Sequence, residues 1–351
     1  MKVKKIKIQN FRNISDISLE FDSENNVICG ENAQGKTNII EALWLFSGAK
    51  SFRNSKDTEF IKFGEKKAKI YTEFDMLGVE NNAQIIFDDK KTAFLNDKKL
   101  SSSSALAGKY NAVVFSPTDL NLVTDGPDKR RRFLDIAIGQ LYPNYIEILR
   151  SYSRAVMQRN KIIKDYRYDK TISIMLDVFE TEIVDMGNKI IKYRKKYIDV
   201  LNSYVSKIYN GISCGKENIE ISYISKCGEI LDLEKLKAAR ENDMFTSTTS
   251  VGPHRDDISF SINGINARNF GSQGQKRSVA LSLKLAGAEV IKEVSGEYPI
   301  CLLDDVMSEL DENRQTKLIN LVTRYQTILT CTEFKHNLPH NKIVIKKGKQ
   351  Y

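Results

Sequence analysis

The stretch "VICGENAQGKTNII" (27–40) constrains this chain more than any other. Gly30, Gly35, Lys36 and Thr37 fit G-x-x-x-x-G-K-[ST], a loop whose backbone N–H groups turn inward around phosphate oxygens. On that pattern Glu31, Asn32, Ala33, Gln34 and Asn38 complete the cradle of a bound nucleotide such as ATP. Lys36 would reach the β- and γ-phosphates and serve the chemistry, and the Thr37 hydroxyl would ligate Mg²⁺. The flanks agree with this reading. Val27 to Cys29 suit a buried strand, and Ile39, Ile40, Leu43, Trp44 and Phe46 recur at helical spacing. A helix would thus begin at the phosphates, its free N–H groups and dipole directed at them. Average residue usage would produce the four motif positions in a chain this long roughly one time in a hundred, and the strand and helix make coincidence rarer still.

A nucleotide fold of this type also needs a second strand ending in an acidic residue. The next hundred residues offer none, but "YPICLLDDVMSELD" (298–311) does. Ile300 to Leu303 are apolar; Asp304 would bind the metal, usually through water, and Asp305 would stand beside the attacking water. Since 274 positions separate Gly30 from Asp304, the intervening chain must include an insertion. The core is expected to be one split α/β domain, closed when its N- and C-terminal parts meet.

The patterning between the two motifs says what the insertion is. Residues 1 to about 115 look β-rich: Ile6 and Ile8, then Ile17, Leu19 and Phe21, alternate with polar residues. "AFLNDKKL" (93–100) predicts a hairpin turning at Asn96-Asp97, and "AVVFSP" (112–117) a buried strand stopped by Pro117. From about 128 to 240 helical periodicity dominates. A long amphipathic helix is expected over about 183–208, with 142–164 as its antiparallel partner in an exposed arm. Near 245 the pattern changes back: a hairpin at 258–270 with an Asn263-Gly264 turn, a helix from about 273, and strands at 326–332 and in "NKIVIKK". The expected division is therefore 1–118, an arm at 119–245, and 246–351.

Composition narrows the setting. The 351 residues, 41% of them hydrophobic, suffice for two domains. No run of eighteen apolar residues exists, so a membrane span is not expected, and "MKVKKIKIQNF" lacks the apolar block of a signal peptide. Cys29, Cys214, Cys227, Cys301 and Cys331 show no C-x-x-C pairing, and there are three histidines. That argues against zinc and for a reducing cytoplasm. A net charge of +9 suggests a polyanionic partner such as DNA, a basic solvated surface being the alternative.

Ser272 and Gly274 in "NFGSQGQKRSVALSLKLAG" open a helix whose first turn offers a second anion-binding end. In a pair of subunits it could meet the γ-phosphate held by the other chain; an ordinary serine cap is the alternative.

The quoted stretches, with "FRN" (11–13), "FSPTDLNLVTDGPDKRRRFLD" (115–135) and "GPHRDD" (252–257), resemble the ABC-type ATPase heads of the SMC class. More closely, they resemble the RecF family of bacterial recombination mediators. The resemblance implies an ATPase head with a β-rich N-terminal lobe and an inserted helical arm. It makes Ser272, Gln273, Gly274 and Gln275 a signature acting on the partner's nucleotide, Ser308 and Asp311 a D-loop at the dimer interface, and Thr330 or Thr332 the switch. Arg12, with Asn13, would reach the nucleotide. It further implies an ATP-dependent homodimer on double- or single-stranded DNA at gaps, with partners of the RecR and RecO type, and a weak, DNA-stimulated ATPase. Asp305 departs from the usual Glu, no histidine stands at the switch, and no glutamine in "SPTDL" fills the Q-loop position.

Two basic clusters carry two readings each. Arg130, Arg131 and Arg132 open a helix, where cations oppose the dipole; they suit DNA phosphate or interdomain acids. Lys189, Lys192, Arg194, Lys195 and Lys196 could grip a DNA backbone or form a charged helix face. Rival functions are a transporter's nucleotide-binding subunit, which would lack so long an insertion, and a non-hydrolysing DNA scaffold.

Overall fold

Ile6 and Ile8 face inward and Lys7 outward along β1 (Lys2–Phe11), and β2 (Ile14–Glu20) pairs back on it with Ile6 opposite Leu19. A computed structural model describes the chain over residues 1–22, 24–165, 172–213, 217–334 and 339–351. β3 (Asn25–Cys29) is buried throughout and leads through the glycine loop into α1 (Lys36–Leu45). β4 (Ala68–Met76), β5 (Val79–Phe87), β6 (Thr92–Leu95) and β7 (Lys98–Lys99) then extend the first pair into an antiparallel sheet, ordered β2-β1-β4-β5-β6-β7. The β6–β7 turn holds Asn96 and Asp97, both at positive φ, as the hairpin expectation required.

After β8 (Ala112–Phe115) the chain becomes helical: α2 (Asn121–Thr124), α3 (Pro127–Leu141), α4 (Pro143–Asp165) and α5 (Ile172–Ser213). α5 has 42 residues and extends well beyond the expected 183–208; at 1.5 Å per residue it is about 63 Å long. Strand β9 (Ile219–Ile224) and α6 (Leu233–Thr246) complete the stretch. β10 (Asp257–Ile262) then pairs with both β9 and β11 (Ile265–Asn266), so one small sheet joins residues on either side of position 245. The expected hairpin turns at Asn263-Gly264, but residues beyond it form α7 (Ala267–Phe270), capped by the Asn266 side chain.

α8 (Gln273–Ser295), β12 (Ile300–Asp304), α9 (Glu312–Val322), β13 (Thr327–Cys331), β14 (Asn341–Lys346) and β15 (Lys349–Gln350) close the structure. Their strands join β3 and β8 in one sheet, ordered β15-β14-β3-β13-β12-β8 and parallel except for β15. Strands separated by most of the sequence are thus neighbours. Both faces of this sheet are covered, which is why its strands read as continuous apolar runs. Ile28, Leu302 and Ile328 pack toward α1 and the antiparallel sheet, while Val27, Leu303 and Leu329 pack with α8 and α9.

The helical stretch buries charge as well as apolar side chains. Arg159 is fully buried between Glu180 and Asp243, at 3.0 and 2.6 Å. Such a group holds only with its partners, since removing one member leaves an uncompensated buried charge. Cys29, Cys227, Cys301 and Cys331 are buried free thiols, and Cys214 lies outside the described residues.

Candidate nucleotide site

The glycine loop is braced from two directions. Asn13, in the β1–β2 turn, donates to the Ala33 carbonyl at 3.0 Å and accepts from the Asn38 amide at 2.7 Å. On the other side, Gln34 accepts N–H bonds from Lys347 and Gly348 in the β14–β15 turn. Gly30 runs so close to β14 that a Cβ there would meet the Ile345 carbonyl. Gly35 caps α1 at φ +102°, a backbone state that side chains disfavour. These needs place glycine at both ends of the motif. Lys36 curls back over the loop, its Nζ donating to the carbonyls of Gly30 at 2.5 Å and Glu31 at 2.7 Å. The loop walls a cleft of about 540 Å³, shared with Arg12, Arg53, Asp305 and Thr330.

The acidic strand end stands at this loop. Thr37 Oγ1 donates to Asp304 Oδ1 at 2.9 Å, and Thr330 Oγ1 donates to the same oxygen at 3.0 Å. Burial raises the Asp304 carboxyl above its ordinary range, the two hydroxyls partly offsetting it. Thr37 and Asp304 therefore present a hydroxyl and a carboxylate together, a donor set that fits a magnesium ion completed by phosphate oxygens and water. Asp305 follows at φ +50°, and its N–H donates to Thr330 Oγ1 at 3.0 Å. A left-handed residue at a strand end turns the chain sharply and leaves the Asp305 side chain on the cleft.

Arg12 reaches the cleft wall, yet its guanidinium is held by Glu41 through a two-point contact at 3.0 and 3.1 Å and lies over the Phe60 ring. Glu41 is wholly buried, takes a hydroxyl bond from Ser51 and lies 3.6 Å from Arg53. This carboxylate was missed in the sequence, where it sits unremarked in "IIEALWL". Its signal was a charge on the apolar face of an otherwise apolar helix. Arg53 and Phe63, which also line the cleft, carried no motif; Phe63 is fully exposed there.

The other expected site residues lie apart from the cleft, except Thr330. Ser272 caps α8 in a reciprocal box with Gln275: Gln275 N–H to Ser272 Oγ at 3.1 Å, Ser272 N–H to Gln275 Oε1 at 2.8 Å. Gln273 and Ser272 are exposed. Gly274 faces Arg314, whose Nη2 would lie 2.9 Å from a Cβ there; Arg314 is tied in turn to Asp311, the cap of α9. Ser308 is exposed and donates to the Asp305 carbonyl. The expected signature and D-loop are thus in contact through Arg314. Of the two switch candidates Thr330 is buried against Asp304, while Thr332 is exposed past the strand end.

Two DNA-contact expectations are corrected. Arg130 is interior, paired to Asp257 at 2.6 Å and bonded to the Asp125 carbonyl at 2.8 Å. Arg194 is interior too, bonded to Asp135 at 2.9 Å and to the Pro253 carbonyl at 2.7 Å. Their heptad-like spacing with Leu134, Ile190 and Tyr197 turns them inward, where each needs an acid partner. Arg131 and Arg132 are half-buried and bond to the Asp256 carbonyl and to the 51–54 loop. Lys189, Lys192 and Lys196 are exposed, Lys195 partly so.

Comparison with known proteins identifies the family and the fold. A family model described as RecF/RecN/SMC N terminal domain matches residues 2–341. The DNA replication and repair protein RecF of Agathobacter rectalis is 40% identical over 334 residues, covering 95% of this chain and 92% of that protein. The chain belongs to the RecF family. RecF of Bacillus cytotoxicus is 41% identical over 344 residues, 95% of this chain and 92% of its own length. A solved structure of the recombination mediator protein RecF with ATPrS, in the RecFOR pathway, superposes with a TM-score of 0.92 at 34% identity, covering 99% and 97% of the two chains. An Smc head domain from Pyrococcus furiosus, at 15% identity and a TM-score of 0.55, shares the fold. The expectation of an ABC-type head with helical segments therefore holds for this RecF-family chain. Among the described residues, no helix is long and apolar enough to cross a membrane.

Proposed function

We propose that this RecF-family chain is an ATP-gated DNA-binding protein of recombinational repair and replication. ATP with Mg²⁺ occupies the cleft at Gly30–Asn38; Lys36 holds the β- and γ-phosphates, and Thr37 and Asp304 hold the metal. Bound ATP closes a homodimer in which Ser272–Gln275, Ser308 and Asp311 of one head meet the nucleotide of the other. The closed pair binds DNA, double- or single-stranded and at gaps, and works with partners of the RecR and RecO type to load recombinase. Slow hydrolysis through Asp305 reopens it. In this reading residues 1–118 and 246–351 make the head, and 119–245 is the inserted arm, stitched to the returning chain by the β9–β10 pairing.

The observation that carries the reading is the contact of Thr37 with Asp304, because it unites the two motifs on which magnesium and phosphate chemistry depends. The description of the similar RecF structures, with ATP or ATPrS and in the RecFOR pathway, supports the ligand and the setting. Sedimentation with and without ATP and duplex DNA tests the proposal. A shift to a dimer with ATP, and to a heavier DNA complex only then, is expected. A monomer under all conditions would refute the gating.

A further inference from the structure

The antiparallel sheet has two faces, and only one of them packs into the core. Ala68, Ile70, Thr72 and Phe74 of β4 point inward, which turns Lys69, Tyr71 and Glu73 to the other side. Ala93 of β6 is buried in the same way, and Phe94 points out. An open face of this kind is ordinarily polar. Here the register sets Lys7 of β1, Tyr71 of β4, Gln84 of β5, Phe94 of β6 and Lys99 of β7 side by side in one row. At roughly 4.8 Å per strand that row is about 19 Å long. Its two aromatic rings stand between two lysines, with Gln84 separating the rings. Tyr71 and Phe94 are half-buried, while Lys7 and Lys99 are exposed. Lys69 and Ile86 face each other in the next row.

The charges on this face favour an anion. Lys4 and Lys5 are paired with Glu80 and Glu20, whereas Lys7, Lys69 and Lys99 make no ion pair among the described residues. The acids Glu73 and Asp16 lie in the flanking rows, opposite Lys5 and Gln9, and leave the aromatic row itself basic. Lys7 Nζ is 5.6 Å from the centre of the Tyr71 ring, so a base stacked on that ring has its phosphate beside the ammonium.

We propose that this face is a platform for single-stranded DNA, its bases stacking on Tyr71 and Phe94 and its phosphates meeting Lys7, Lys69 and Lys99. Stacking on protein rings requires bases free of a double helix, because a duplex keeps their flat faces to itself. Gln84, between the rings, offers its amide to a base edge. The inference deepens the DNA-binding reading above and rests on it, but it needs neither the nucleotide nor the dimer.

Fluorescence anisotropy of labelled oligo(dT), about fifteen nucleotides long to suit a site of this kind, tests the platform on the full chain without ATP. Tyr71→Leu and Phe94→Leu keep apolar bulk on the sheet and remove the ring; each should weaken binding about tenfold, as the loss of one stacked base allows. Lys7→Ala with Lys99→Ala should flatten the salt dependence. Phe94→Trp should hold the parent affinity, and its fluorescence should be quenched by oligo(dT), since the natural Trp44 is buried. All of these variants should bind duplex DNA with ATP as the parent does. Oligo(dT) affinity that survives both leucine variants overturns the platform, as does a Phe94→Trp signal that never responds to the bound strand. A parent that binds duplex with ATP but not oligo(dT) overturns the platform alone and leaves the proposed function standing. A parent that binds neither removes both.

Discussion

Thr37 and Asp304 stand 267 positions apart in sequence and 2.9 Å apart in space, hydroxyl to carboxylate. The bond spans two strands of one sheet, since α1 begins at the end of β3 and Asp304 ends β12, with β13 between them. A buried carboxylate without a cation costs stability that a bound metal would return. Thr37, Asp304 and Thr330 thus hold a buried carboxylate between two hydroxyls, at some expense to the fold.

The first prediction follows from that expense. Burial raises the Asp304 carboxyl above its unfolded value of about 3.9. A raised carboxyl favours the protonated fold, so the penalty is absent below the unfolded value and fully present above the folded one. Asp304→Asn keeps an oxygen for both hydroxyls and removes the charge. In EDTA at pH 7 it should stabilise the protein and raise its melting temperature. The gain should vanish as pH falls through the folded value toward 4, and magnesium-dependent ATP hydrolysis should be lost. Equal melting of parent and variant at pH 7 would contradict the unpaired charge.

Asp305 tests the proposed slow hydrolysis. It is a methylene shorter than glutamate, and small misplacements of a catalytic group cost on the order of a hundredfold in rate. Turnover on the order of one per minute or less is expected. Asn accepts the left-handed backbone at 305 as readily as Asp does, so Asp305→Asn removes the carboxylate alone. It should leave ATP binding intact, abolish hydrolysis and make the ATP dimer long-lived by gel filtration. Parent-like turnover in the variant would exclude Asp305 as the base.

Ser272→Arg should bind fluorescent ATP about as the parent does and fail to dimerise with it. Losing the cap costs about 1 kcal/mol of helix stability, so Ser272→Ala, which loses the cap without adding bulk, serves as the control. A Ser272→Arg protein that still forms the ATP dimer would remove α8 from the interface.

The basic residues of α5 should separate into two groups. Arg194→Ala uncovers Asp135 and should lower stability by about 3–5 kcal/mol, seen in urea unfolding whether or not DNA is present. Lys189→Ala with Lys192→Ala and Lys196→Ala should leave unfolding unchanged and reduce the dependence of DNA affinity on salt. An unaltered salt slope would place the DNA surface elsewhere.

What the sequence determined by itself was local. Gly30 to Thr37 could be read as a candidate phosphate loop because the motif's glycines and lysine are set by backbone geometry within eight residues. The Asn96-Asp97 and Asn263-Gly264 turns were legible for the same reason, and the apolar runs of β3, β12 and β13 betrayed a sheet buried on both faces. Even the split of the core could be read, since two halves of one chemistry stood too far apart to be otherwise. Only the tertiary structure decided which side chains face each other across that split. Glu41 looks like one charge in a helix until Arg12 and Arg53 close on it, and Arg194 looks like its lysine neighbours until α5 turns it toward Asp135. Helical spacing assigns a residue to a face. Whether that face meets solvent, an acid or a cavity depends on elements that the chain brings in from far away.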